Sequence, residues 1–296
     1  MLKRTLFFSN PYHLSLKNSQ LVIDSRESTE ATTVPVEDIG FIVFDHPQIS
    51  FTMKLVEQLN TFNVAVVFCD SKHMPSSMLL PLDSNHIQTE IFRCQTEASE
   101  PLKKGLWKQT VEAKISNQAA FLVRQGHGAQ DIKNLARTVK SGDTDNREGF
   151  AARLYWQRLL GKEFYRDRFG PPPNHFLNYG YILLRSAVAR ALAGSGLLAT
   201  LGIHHRNRYN SYCLADDIME PYRPYVDEIA LSLFSAFPDS PTITKEHKTE
   251  LLKLMAADVE IGEVKRPLMV ALSITTASLA RCFSGESRKI IYPVFR

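Results

Sequence analysis

Hydrophobic and polar positions change their rhythm along this chain. In the first part they fall in short runs. Thr5-Leu6-Phe7-Phe8 is one, and His13-Leu14-Ser15-Leu16-Lys17 and Gln20-Leu21-Val22-Ile23-Asp24 flank Asn18-Ser19, a hairpin signal. Thr32 to Val36 reads as a further strand, and Gly40-Phe41-Ile42-Val43-Phe44 and Val64-Ala65-Val66-Val67-Phe68-Cys69 as buried strands. Between the last two, Phe51, Leu55 and Leu59 recur every fourth position, a helical stripe.

From His86 onward the period is helical. Leu106, Trp107, Thr110, Val111, Ala113 and Ile115 predict a long helix to Arg124. Helices are expected over Gly149 to Leu160, Phe176 to Leu192, Leu214 to Phe237, Lys245 to Ala257 and Pro267 to Phe283. Breakers such as Gly126-His127-Gly128, Gly170-Pro171-Pro172-Pro173, Gly194-Ser195-Gly196 and Pro238-Asp239-Ser240-Pro241 separate them. The class is therefore α+β: a small β-rich N-terminal domain over 1–85, then a larger all-α-helical domain over 86–296.

With 296 residues, 44% of them hydrophobic and 22% charged, the chain has enough apolar side chain for a packed core, which excludes disorder and collagen. The longest uncharged stretch, Pro267 to Ala280, is too short and too rich in Ser and Thr to span a bilayer. No sufficient apolar run follows the Met-Leu-Lys-Arg start, so no signal peptide is read and a cytoplasmic location is expected. Cys69, Cys94, Cys213 and Cys282 form no CxxC pair, which argues against structural zinc and for reduced thiols.

Net charge is +4, which says little until it is divided. Residues 1–100 hold 7 Lys and Arg against 12 Asp and Glu, residues 101–168 hold 14 against 7, and residues 169–296 hold 14 against 12. A basic segment of this kind fits a polyanion partner, of which nucleic acid is the commonest, but also a solvated helical face.

Three segments carry possible chemistry. In Asn146-Arg147-Glu148-Gly149 the carboxylate opens a helix, where it would also simply favour the helix dipole. Gly202-Ile203-His204-His205-Arg206-Asn207-Arg208 offers two imidazoles, of which at most one faces a given site, or a plain surface loop. In Asp216-Asp217-Ile218-Met219-Glu220-Pro221 the acids are helical neighbours, repel one another, and need a counter-charge from an Arg or a divalent cation. Pro221 predicts a kink or a helix restart. A Glu, a His and an acid from the third segment form a mixed oxygen and nitrogen ligand set. Carboxylates suit Mg²⁺ or Mn²⁺, and an imidazole tilts the preference to Mn²⁺. Such an ion polarises a phosphodiester.

These segments resemble those of the CRISPR-associated adaptation integrases, the Cas-one family, in its type II form. The resemblance lies in Glu148-Gly149-x-Ala151-Ala152-x-x-Tyr155, in Gly202-Ile203-His204-His205, and in Asp217-Ile218-Met219-Glu220-Pro221-Tyr222-Arg223-Pro224. It implies metal ligands, and hence catalytic residues, at Glu148, His205 and Glu220, with Asp217 outside them or as an alternative ligand and Asp216 accessory. His204 is an extra histidine beside the matched frame. The implied function is a metal-dependent DNA endonuclease and integrase of antiviral defence, joining 3′-hydroxyl ends of captured DNA to a CRISPR repeat by transesterification. The implied partners are double-stranded DNA, a second copy of the chain bound through the β-rich domain, a Cas-two dimer completing a hetero-hexamer, and Cas-nine with type II accessory proteins. Arg147, Arg153, Arg166, Arg168, Arg206 and Arg208 are candidates for DNA contact by their position in the sequence. Two other readings of the residues stay open: a metal-dependent hydrolase of a small phosphorylated substrate, and a non-catalytic DNA-binding scaffold.

Overall fold

The computed structural model describes residues 3–25 and 31–296; Met1 and Leu2 of the N-terminal start lie outside the described residues. Two compact units result, 1–84 and 85–296.

The first unit contains β1 (Arg4–Phe8), β2 (Tyr12–Lys17), β3 (Gln20–Ser25), β4 (Thr32–Pro35), β5 (Ile39–Phe44), β6 (Ser50–Phe51), α1 (Met53–Thr61), β7 (Ala65–Cys69) and β8 (Pro75–Leu79). They form two four-stranded sheets, ordered β1-β5-β7-β8 and β4-β3-β2-β6. The β2–β3 turn is Asn18-Ser19, both at positive φ, which is the backbone a two-residue hairpin requires. The central strand β5 pairs in parallel with β1 and β7 and is buried along its whole length, matching its unbroken apolar run. Leu14, Leu21, Ile42, Val66, Leu55 and Leu59 join the core shared by both sheets and α1. Phe51, read with the helical stripe, lies instead on the short β6, before α1 begins.

The second unit contains α2 (Gln88–Thr96), α3 (Glu100–Arg124), α4 (Gln130–Arg137), α5 (Arg147–Leu160), α6 (Asn174–Gly194), α7 (Cys213–Met219), α8 (Arg223–Ala236), α9 (Lys245–Leu252), β9 (Asp258–Ile261), β10 (Val264–Pro267) and α10 (Leu268–Phe283). The segment from Leu214 to Phe237 is two helices with a 3₁₀ turn, Glu220–Tyr222, between them. Pro221 and Pro224 lack the N–H that a continuous helix would need there. The hairpin β9–β10 sits among the helices; its turn residues Gly262 and Glu263 are both at positive φ.

Helix α3 is the spine of this unit. Trp107, Thr110, Lys114, Asn117 and Phe121 follow one another at steps of three or four and so share a face. All five are buried. Asn117 donates to the carbonyls of Pro221 (2.8 Å) and Pro293 (3.1 Å) and accepts from Phe295 N–H (3.0 Å), tying the helix to the 3₁₀ turn and to the last residues of the chain. Among the described residues no helix is long and apolar enough to cross a membrane, and the four cysteines are free thiols.

Candidate active site

Glu148 is the second residue of α5. Asn146, in the left-handed conformation, caps that helix by accepting from Gly149 N–H (3.2 Å). Asp143 accepts from the N–H groups of Arg147 (2.8 Å) and Glu148 (3.0 Å), so a neighbouring carboxylate takes the capping task that Glu148 could have had. The Glu148 side chain is left to reach inward, to Lys114.

The histidine loop is shaped by Asp217. This carboxylate is fully buried and accepts four hydrogen bonds: from the N–H groups of Ile203 (2.7 Å), His204 (3.0 Å) and His205 (3.2 Å), and from His205 Nδ1 (2.6 Å). Gly202 is demanded by the same fold, because a Cβ there would lie 2.4 Å from His205 O and 2.8 Å from Asp217 Oδ2. The His204 ring lies flat on Trp107, with centroids 4.1 Å apart and planes within 2°, while His205 meets Trp107 edge-on. With Nδ1 bonded to a carboxylate, His205 has its tautomer set and Nε2 directed to other partners, the usual support of a metal-binding imidazole. The bond to Asp217 raises the His205 pKa, against the opposing effect of burial; burial lowers that of His204.

The three acids of the third segment go to different partners. Asp216 binds Arg185 through Nε (2.6 Å) and Nη2 (3.1 Å) and accepts from Asn210 (2.7 Å). Asp217 holds the loop. Glu220 accepts from Arg223 Nε at 2.9 Å. The repulsion anticipated from their spacing is removed by Arg and by backbone donors, one set for each acid.

Glu148 and Glu220 converge. Lys114 Nζ donates to Glu148 Oε1 and lies 2.5 Å from Glu220 Oε2. Glu220 Oε2 is buried and meets no hydrogen-bond geometry, although the ammonium is its ion-pair partner. Burial works against the Glu220 charge, yet Arg223 and then Lys114 bring its pKa down to about 2. Burial also opposes the Lys114 charge, and Glu220 and Glu148 outweigh it, leaving its pKa raised. Among the described residues no three His, Cys, Asp or Glu side chains are gathered around one point as arranged here: the two carboxylates meet at the ammonium, and His205 faces Asp217 through Nδ1. The donor chemistry nonetheless suits a divalent ion: two carboxylates, one with a buried oxygen lacking a hydrogen bond, and an imidazole held by an outer carboxylate.

Two basic cavities border this centre. One, of about 670 Å³, is lined by His205, Arg206, Arg208, Lys103, Asn207 and Asn210, among others. The other, of about 290 Å³, is lined by Arg166, Arg168, Arg185 and Arg223 with Asn178 and Tyr181. Arg166 donates to the neutral side chains of Asn174 and Asn178 and packs over the Tyr181 ring. Tyr165 (67% exposed) and Phe169 (89% exposed) flank it in the same loop. Arg206 pairs with Glu100 at 2.5 Å, and Arg208 packs over Tyr209. Arg147 and Arg153, on α5, line neither cavity; Arg153 packs over Phe150. Lys114, Trp107, Arg185 and Arg223 escaped the reading from sequence. Only Arg223 stood inside a motif; the others belong to helices that read simply as amphipathic.

The family model described as CRISPR associated protein Cas1 matches residues 6–238. A CRISPR-associated endonuclease Cas1 from Neisseria meningitidis is 38% identical over 288 residues, covering 97% of this chain and 94% of its own. This chain belongs to the Cas1 family. The Neisseria relative is named a CRISPR-associated endonuclease, which agrees with the nuclease part of what the three motifs implied. The fold agrees: a casposase bound to an integration product superposes with a TM-score of 0.78 at 20% identity, covering 98% of this chain and 92% of that one. The chain from a Cas6-RT-Cas1–Cas2 complex superposes at 0.72 and 19% identity, covering 97% of this chain and 35% of the other. Within the Cas1 frame, the Glu148 and Glu220 segments are brought together on α3, with the His205 loop stacked on the same helix.

Proposed function

We propose that this Cas1 chain, of the type II form, inserts captured DNA fragments into a CRISPR array, with Glu148, His205 and Glu220 holding Mg²⁺ or Mn²⁺. The observation that carries the reading is the meeting of Glu148 and Glu220 at one point, from segments far apart in sequence, beside an imidazole steered by a buried carboxylate. The ion, when bound, supplies positive charge at the attacked phosphate. The protein's own residues do the rest. Asp217 acts from outside the ligand set, since all its hydrogen bonds go to the histidine loop, and it keeps Nε2 of His205 available. Arg223 and Lys114 keep Glu220 ionised. The two basic cavities hold phosphates next to the centre, with Arg166, Arg168, Arg206 and Arg208 as the contacts that set position. Arg147 and Arg153 contribute at longer range. Because transesterification exchanges one phosphodiester for another, alignment of the 3′-hydroxyl with the attacked phosphate carries much of the rate.

A partner of the Cas2 kind is supported by the likeness of this fold to a chain of a Cas6-RT-Cas1–Cas2 complex. A second copy of this chain is expected beside it. The acidic balance of residues 1–100 makes that part a protein-facing rather than DNA-facing surface. Cas-nine is a further expected partner, and the cytoplasm, where the arrays are, the expected place of work.

The test is strand transfer of a short duplex into a repeat-bearing plasmid with Mn²⁺ or Mg²⁺. Glu148→Ala and Glu220→Ala are expected to abolish joining while duplex binding measured without a divalent ion stays within about threefold. Joining retained in both variants overturns the ligand assignment.

A further inference from the structure

Lys114 lies on the α3 face that meets every segment of the centre, and its side chain is only 7% exposed. Its ammonium contacts both Glu148 and Glu220, and Arg223 takes the remaining Glu220 oxygen at 2.9 Å. The charges that act on it are those of Glu148 and Glu220, both negative, and of Arg223, positive; with its own ammonium the four sum to zero. A doubly charged ion entering such a cluster would leave it positive, in surroundings where water screens poorly. The strongest opposing neighbour would be the ammonium already bonded to both carboxylates. A DNA phosphodiester brings the missing negative charge and offers the ammonium another acceptor.

We propose that Lys114 couples divalent-ion binding to DNA binding. By itself the site holds the ion weakly, because Lys114 competes for the same carboxylates. A DNA phosphate relieves that competition, so ion and DNA load together. Linkage makes the effect reciprocal: the ion strengthens DNA binding at the centre by the same factor. Lys114 is thus a positioning residue that keeps Glu148 and Glu220 facing each other and opposes assembly of the reactive centre before its substrate arrives. The proposal rests on the reading of Glu148 and Glu220 as ion ligands.

The experiment measures Mn²⁺ binding to the full chain by electron paramagnetic resonance of the free ion, at fixed pH and ionic strength, with and without a short duplex. In the wild type, DNA is expected to tighten Mn²⁺ binding by at least about tenfold, within the usual range of coupling. Lys114→Met keeps the stem and removes the charge. It is expected to bind Mn²⁺ alone at least about tenfold more tightly than the wild type, and to lose most of the enhancement by DNA. Mn²⁺ should raise its melting temperature more than it raises that of the wild type. Lys114→Arg should behave as the wild type in both respects, and Lys114→Gln replaces the Met variant should circular dichroism show it unfolded.

A purely structural Lys114 predicts otherwise: the neutral variants melt earlier, but with Mn²⁺ affinity and DNA enhancement unchanged. That result overturns the proposal. Mn²⁺ binding undiminished in Glu148→Gln and Glu220→Gln overturns the ligand reading beneath it instead, and so separates the two failures.

Discussion

Replacing Asp217 by Asn tests whether one buried carboxylate shapes the histidine loop. The substitution is almost isosteric and leaves one oxygen in place of two. Asp217 Oδ2 receives Ile203 N–H and His204 N–H, and Oδ1 receives His205 N–H and Nδ1. The amide NH₂ must replace one of the two oxygens. On the Oδ2 side it confronts two backbone N–H groups, one buried and one partly so. On the Oδ1 side it confronts one, and it also donates to Nδ1, which moves the His205 proton to Nε2 and closes that nitrogen to a metal. Each buried donor left facing another donor costs about 1–3 kcal/mol. Loss of charge assistance weakens the bonds that remain. A destabilisation of about 2–4 kcal/mol is therefore expected, and more for Asp217→Ala, which strips the acceptors from three backbone donors. Urea unfolding read by linear extrapolation gives the number. DNA joining, assayed well below the unfolding midpoint, should fall far more than the residual folded fraction explains. An Asp217→Asn protein within about 0.5 kcal/mol of the wild type, with joining intact, refutes the account.

Other outcomes follow from the same contacts. Gly202→Ala would push a methyl into His205 O and Asp217 Oδ2, so the His205 loop should rearrange, with joining lost and loop amide exchange accelerated; unchanged exchange counts against it. Burial lifts Asp227 to about 6, against hydrogen bonds from Tyr181 and Tyr155. Because its folded value lies above the unfolded value near 3.8, its contribution is present at low pH and is lost as pH rises through about 6. Relative to Asp227→Asn, the wild type should therefore lose up to about 3 kcal/mol of stability between pH 4 and pH 7; a difference flat with pH refutes this. Removing Arg166 and Arg168 together should lower the slope of log K against log salt for DNA binding by about 2. An unaltered slope removes them from the interface.

Much of this architecture was written in local pattern. Asn18-Ser19 between two alternating runs produced its hairpin because both residues accept positive φ. The apolar run Gly40 to Phe44 became the central buried strand, and Pro221 broke the helix at the Glu220 carboxylate. The three motif segments were also legible, since a Gly with no room for a Cβ, a His pair and closely spaced acids leave a signature in order and spacing.

Pairing between segments was not legible. Asp216, Asp217 and Glu220 stand within five positions, yet the fold sends them to Arg185, to the His205 loop, and to Arg223 with Lys114. Local spacing establishes that such acids repel; it does not say which distant cation or amide reaches each one. Lys114 was one cation among the many of a basic segment until the packing of α3 placed it between two carboxylates. Helix and strand periods and turn chemistry act over a few residues, so a linear reading recovers them. The cost of burying an unpaired charge acts in three dimensions, so only the tertiary structure decided which groups answer one another at this centre.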